Sequence, residues 1–149
     1  RYGINAARGA IFAYLQVMTI LLTALLSLIA AMHLAWAFHI WIPIRDEVQL
    51  AHAVVGAKGV TRMPGTIPCL LVAGSLAIVI AAFWMPSVTI ARVVLWLAAL
   101  VFAGRGLIAY AGLWRKMTPE EPFATYDQRY YGPLCLVLAA GLLFTLIGG

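Results

Sequence analysis

Residues 9–44, GAIFAYLQVMTILLTALLSLIAAMHLAWAFHIWIPI, contain no charged side chain, although Arg8 and Arg45 close the run on either side. About 20 consecutive apolar residues cross the hydrocarbon core of a bilayer. The run therefore holds one span with length to spare, and it is expected to tilt or to project into the interface. Charge is also absent between Arg62 and Arg92 and again after Arg129. Composition agrees: of 149 residues, 64% are hydrophobic and 10% charged, and the mean hydropathy is +0.99. A soluble domain of this size has too little interior to hide that much apolar side chain. The chain reads as an integral membrane protein.

Four spans fit, at about 11–41, 66–85, 88–114 and 131–146, in one transmembrane domain covering the chain. The second is bracketed by MPGTIP and WMPS, whose prolines suit helix ends, and Pro133 is tolerable in the first turn of the fourth. Backbone groups in lipid must be satisfied internally, and alternating strand patterns are missing, so helices are the spanning elements. The expected fold is an all-α, four-helix membrane bundle. The first run is too long for a signal peptide, and no small-residue cleavage pattern ends it.

The two longer connections hold most of the remaining polar residues. In IRDEVQLAHAVVG, Ile44, Val48, Ala51 and Val55 recur at helical spacing, acids open the segment and Gly56 can close it. A short helix lying in the interface is expected there. In RKMTPEEPFATYDQRYYGP, Thr118, Pro119 and Glu121 resemble a helix start, but Pro122 limits it to one turn before a structured loop. Counting Lys and Arg, Arg45, Lys58, Arg62, Arg115, Lys116 and Arg129 share one side, against Arg1, Arg8 and Arg92 on the other. The excess places both long connections in the cytoplasm and both termini outside. Nothing has the layout of a nucleic-acid surface.

This topology gathers polar residues at one end. His33, Trp36 and His39 close the first span, Arg105 and Tyr110 the third, and Asp127, Arg129, Tyr130 and Tyr131 precede the fourth. Counted back from Trp41 and Trp114, His33 and Arg105 would sit roughly 12–14 Å below their helix ends.

HLAWAFH, RGLIAYAGLWRK and FATYDQRYYGPLCLVLA together resemble an uncharacterised bacterial family of small four-span membrane proteins, a domain of unknown function. Its HxYW-type motif is matched by His33 and Trp36. Its FAxxDxxxYSPLC-type motif is matched by Phe123, Ala124, Asp127, Tyr131, Pro133, Leu134 and Cys135. Departures are Ala35 for tyrosine, His39 for glycine and Gly132 for serine. The resemblance implies a fold without implying a reaction; the expected location is a bacterial inner membrane.

As candidates for a polar cluster or ligand site, His33, Trp36, His39, Arg105, Tyr110, Asp127 and Tyr131 each have two readings. His33 could ligate a haem or chlorophyll-type pigment through a neutral imidazole. The favoured reading makes it a polar contact with Arg105 and Asp127, because unsatisfied polar groups are costly in lipid. His33 and His39 lie six residues apart, roughly 240° around a helix, so they face different ways and make a poor pair of haem ligands. Gly104 and Gly106 flank Arg105 and permit close approach of another backbone. No CxxC or HxxxH spacing suggests zinc, and no Ser/His/Asp set suggests a hydrolase. Cys69 and Cys135 read as small buried thiols.

Two functions follow. The first is a non-enzymatic accessory or stabilising subunit of a larger membrane complex. The second is a binding protein or enzyme for a hydrophobic small molecule (lipid, quinone or pigment) at the polar end.

Overall fold

The structure is a computed structural model that describes residues 2–85 and 87–148, with side chains from residue 9 onward. Arg1, Pro86 and the side chain of Arg8, which enter the charge count and the helix-end reading above, lie outside it. The chain order is α1 (Tyr2–Ala37), α2 (Glu47–Val54), α3 (Thr66–Phe83), α4 (Thr89–Ile108), α5 (Gly112–Met117), α6 (Phe123–Tyr126), a π-helical turn (Asp127–Tyr131) and α7 (Gly132–Gly148). Among the described residues there is no strand. Four helices, α1, α3, α4 and the continuous α6–π–α7 rod, are long and apolar enough to cross a membrane.

The four spans form a ring in which α1 packs on α3, α3 on α4, α4 on α7, and α7 back on α1. The core between them is built from Leu22, Leu26, Leu76, Val79, Leu95, Ala98, Leu138 and Leu142. Small residues set the closest crossing. A Cβ on Gly106 would lie 2.9 Å from the Gly132 carbonyl oxygen, and a Cβ on Gly132 would lie 2.9 Å from the Cβ of Ala109. Apolar burial drives little helix association inside lipid, so such close backbone approach carries much of the packing. Gly104 faces open space and takes no part.

α1 begins at Tyr2, nine residues before the expected start of the first span. Three further helix ends differ from their expected places, each for a local reason. α1 stops at Ala37 rather than near Trp41, because His39 takes a left-handed φ of 59°. The His39 N–H then donates to Trp36 O at 3.0 Å and the Ile40 N–H to Ala35 O at 2.9 Å. This is the Schellman termination, whose left-handed position glycine fills most easily.

The third span ends at Ile108, not at residue 114. Tyr110 and Ala111 form a turn, and α5 starts anew at Gly112. Arg105 consequently lies in the last turn of α4, about 4.5 Å from its end. His33 is about 6 Å from the end of α1 by the same measure. Both are much shallower than the sequence count implied.

The fourth span begins at Phe123, eight residues before Tyr131. Pro122 occupies the N-cap position and starts a helix instead of ending one. Thr118 and Pro119 precede it without forming a turn of helix. Pro133 then falls inside a continuous rod, where its missing N–H and its ring conflict with regular α geometry. The π turn absorbs the conflict: the Gly132 N–H reaches back five residues to Asp127 O.

The helix expected after the first span is present as α2. Asp46 is its N-cap, accepting the Gln49 N–H at 2.8 Å, and Gly56 follows it with a φ of 64°. Gly56 has no substitute sterically, since a Cβ there would overlap the Phe123 ring.

Candidate functional site

The two long connections lie against each other at one end of the bundle. The Lys58 N–H donates to Met117 O at 3.4 Å and the Glu120 N–H to Gly56 O at 3.2 Å. The Glu120 carboxylate accepts the Gly59 N–H at 2.9 Å. Beneath this joint sits a smaller core of Trp36, Ala37, Leu50, Ala51, Met63 and Cys69. Thr66 Oγ1, at the start of α3, donates to Ala37 O at 3.0 Å and ties the two helix ends together.

The principal polar centre is the carboxylate of Asp127, which is 2% exposed. Its two oxygens are both occupied. Oδ1 pairs with Arg105 Nη2, and Oδ2 accepts the Trp114 indole N–H at 2.8 Å. The Arg105 guanidinium carbon also lies 5.4 Å from the centroid of the Trp114 ring, so the cation is held by a carboxylate and by an aromatic face. A charge on a spanning helix is tolerated where it is paired and near an interface. Placement in the last turn of α4 adds the favourable end of the helix dipole. Arg105 Nη1 is buried and has no hydrogen-bond partner among the described residues.

Trp114 was read in the sequence only as the end of a span. The break at Tyr110–Ala111 folds α5 so that this tryptophan meets both members of the ion pair. The sequence signal for that break is Gly112, the one residue between Gly106 and Gly132 without a side chain.

Tyr110 and Tyr131 serve neighbouring contacts. In the π turn the Gly132 N–H is committed to Asp127 O and Pro133 has none, which leaves the Gln128 carbonyl without a helical donor. Tyr110 Oη donates to that carbonyl at 3.0 Å. Tyr131 Oη donates to Ala53 O in the last turn of α2 at 3.0 Å, binding the short helix to the rod. Tyr126 and Phe123 stack around the Tyr131 ring.

The histidines do not join this centre. His33 Nδ1 donates to Ile29 O of its own helix at 2.8 Å, and its ring lies 4.9 Å from that of Trp36. The expected contact of His33 with Arg105 and Asp127 is therefore absent, because its own helix supplies the acceptor one turn away. Trp36 is buried and donates to Ile42 O at 2.8 Å, which fixes the chain as it leaves α1. His39 is exposed at the helix end and packs edgewise on Trp41 at 5.5 Å. No group of three or more His, Cys, Asp or Glu residues that could hold a metal occurs among the described residues. Cys69 is buried and Cys135 half-buried, both as free thiols.

The fold and the carboxylate centre define a four-span, helical membrane protein whose loop end is fastened by an ion pair and an indole. The chain belongs to the DUF3995 family, described as a protein of unknown function, whose family model matches residues 26–142. No curated protein and no solved structure matches the chain.

Proposed function

We propose that this protein is a non-catalytic accessory or stabilising subunit of a larger membrane assembly, docked through the outer face of α1. The observation that carries the reading is a row along that helix. Tyr14, Val17, Leu21 and Leu28 are each more than half exposed, with Ala10, Ala24 and Ala31 at the intervening positions of the same row. Steps of three and four residues keep the row on one face, and the alanines let a second helix approach closely. α1 is also about 54 Å long against about 27 Å for α3, so its N-terminal half outruns its neighbour.

At the loop end, the Asp127 carboxylate and the hydroxyls of Tyr110 and Tyr131 all have partners within the chain, which suits fastening better than catalysis. The Lys and Arg excess of the two connections favours a cytoplasmic loop end in a bacterial inner membrane.

A photo-crosslinking residue at Val17 or Leu21, compared with one at Val101 on α4, tests the reading in the native membrane. A discrete adduct of fixed stoichiometry from α1 alone, with a native mass exceeding that of one chain, is the expected result. Lipid adducts from all three positions would refute it.

One observation favours a second reading, the buried and unpartnered Arg105 Nη1. A carbonyl of a lipid, quinone or pigment would satisfy it. His33 adds a ring whose Nδ1 is committed to Ile29 O, leaving Nε2 of the neutral ring able to ligate a haem or chlorophyll-type pigment. Absorption and mass analysis of gently extracted protein would show such a molecule, and its loss from an Arg105→Lys or His33→Leu variant would assign it.

A further inference from the structure

The end of the bundle opposite the loops is open. A cleft of about 840 Å³ lies between the N-terminal half of α1, the end of α3, the start of α4 and the end of α7. That volume is in the range of small-molecule sites. Its walls are mainly apolar, including Phe12, Leu15, Phe83 and Leu146, and its polar groups are Arg92, Gln16, Thr19 and Thr145. Leu15 and Thr19 face the cleft from the side of α1 opposite Val17 and Leu21, so this site is separate from the docking row.

Charge decides what could fill it. The chain has five acidic side chains, Asp46, Glu47, Glu120, Glu121 and Asp127, and all five belong to the loop end. Arg92 has no ion pair and no side-chain hydrogen bond among the described residues. It stands in the first turns of α4, about 5 Å from the helix start, which is the depth of a headgroup rather than of the hydrocarbon centre. That helix start has no side-chain cap, so the positive end of its dipole adds to the arginine charge. The polar side of α1 continues inward from the cleft: Thr23, one turn beyond Thr19, carries a buried hydroxyl with no partner among the described residues. The described groups at this end suit a partner that brings a negative headgroup together with an apolar tail.

We propose that the cleft binds one anionic lipid, its headgroup paired with Arg92 and hydrogen-bonded by Gln16 and Thr19, and one acyl chain laid along Leu15, Phe83 and Leu146. Much of this wall precedes residue 26, where the match to the family begins.

Native mass spectrometry of the delipidated full chain, titrated separately with phosphatidylglycerol and phosphatidylcholine, tests the proposal. One phosphatidylglycerol should be retained about tenfold more strongly than phosphatidylcholine, a difference of ~1.4 kcal/mol. Arg92→Gln should abolish the preference and Arg92→Lys should keep most of it. Thr19→Trp, which fills the cleft without changing charge, should weaken binding. Arg92 is exposed, so its replacement leaves the packing intact, and an unchanged melting temperature checks this. Equal retention of the two lipids, or an undiminished preference in Arg92→Gln, would mean ordinary boundary lipid and overturn the proposal. Competition by inorganic phosphate alone at the same concentration would make it a free-anion site, and would overturn it as well.

Discussion

Gly106 and Gly132 face each other where α4 crosses α7: a Cβ on Gly106 would lie 2.9 Å from the Gly132 carbonyl oxygen, and one on Gly132 would lie 3.3 Å from that of Gly106 and 2.9 Å from Ala109 Cβ. The crossing lies one residue from Arg105 and five from Asp127, and it brings their two helices near enough for the ion pair to form. Gly106→Val should therefore separate the helices and lower stability by roughly 1–3 kcal/mol, the usual cost of overpacking. Thermal unfolding in detergent measures this. The same change at Gly104, which meets nothing, should be tolerated far better. Equal losses at the two glycines would count against the crossing.

The left-handed backbone at His39 offers a change in the opposite direction. Histidine holds a conformation that costs an L-residue roughly 1–2 kcal/mol and that glycine adopts freely. His39→Gly should raise stability by up to about 1 kcal/mol, as a higher melting temperature in the same detergent. A loss of stability would show that the edgewise contact with Trp41 matters more than the backbone.

Much of the fold was legible from the sequence because charge in lipid is costly: the gaps between Arg8 and Arg45 and between Arg62 and Arg92 leave few ways to place the spans. α2 was legible from Asp46, the periodic apolar positions and Gly56. The helix ends were not. His39 gives no sign in its residue type that it will adopt a positive φ. Pro122 reads as a breaker, yet a proline suits the first turn of a helix as well as the residue after one. For the site, Arg105 and Asp127 were recognisable as charges sharing one end. Trp114 was missed because the turn at Tyr110 and Ala111 was read through as helix, and His33 was assigned a partner in another helix when its own backbone provides one.

The connection joint predicts the labelling pattern of the loops. The Lys58 N–H donates to Met117 O, so single cysteines at Lys58 and Lys116 should react with an impermeant reagent from the same face of sealed vesicles. Labelling from opposite faces would contradict the topology.

Tyr131→Phe removes only the hydroxyl that holds α2 to the rod. The expected cost is about 0.5–1.5 kcal/mol, the range for one hydrogen bond. Amide exchange should accelerate in Glu47–Val54 more than in Thr66–Phe83. Uniform acceleration would mean that α2 is held chiefly by its apolar contacts.

The central claim is that Asp127, held by Arg105 and Trp114, fastens the loop end of the bundle. A double-mutant cycle on Arg105→Met and Asp127→Leu, read by unfolding in detergent, tests it most directly. Either single change should destabilise, Arg105→Met the more, since it leaves the buried Asp127 carboxylate without its counter-ion, whereas Asp127→Leu strands an arginine that is about a third exposed, 31% of its side chain. The double variant should recover part of the combined loss, giving a coupling of roughly 1–2 kcal/mol. Strictly additive losses would mean that the two side chains act independently, and that the loop end is closed by something else.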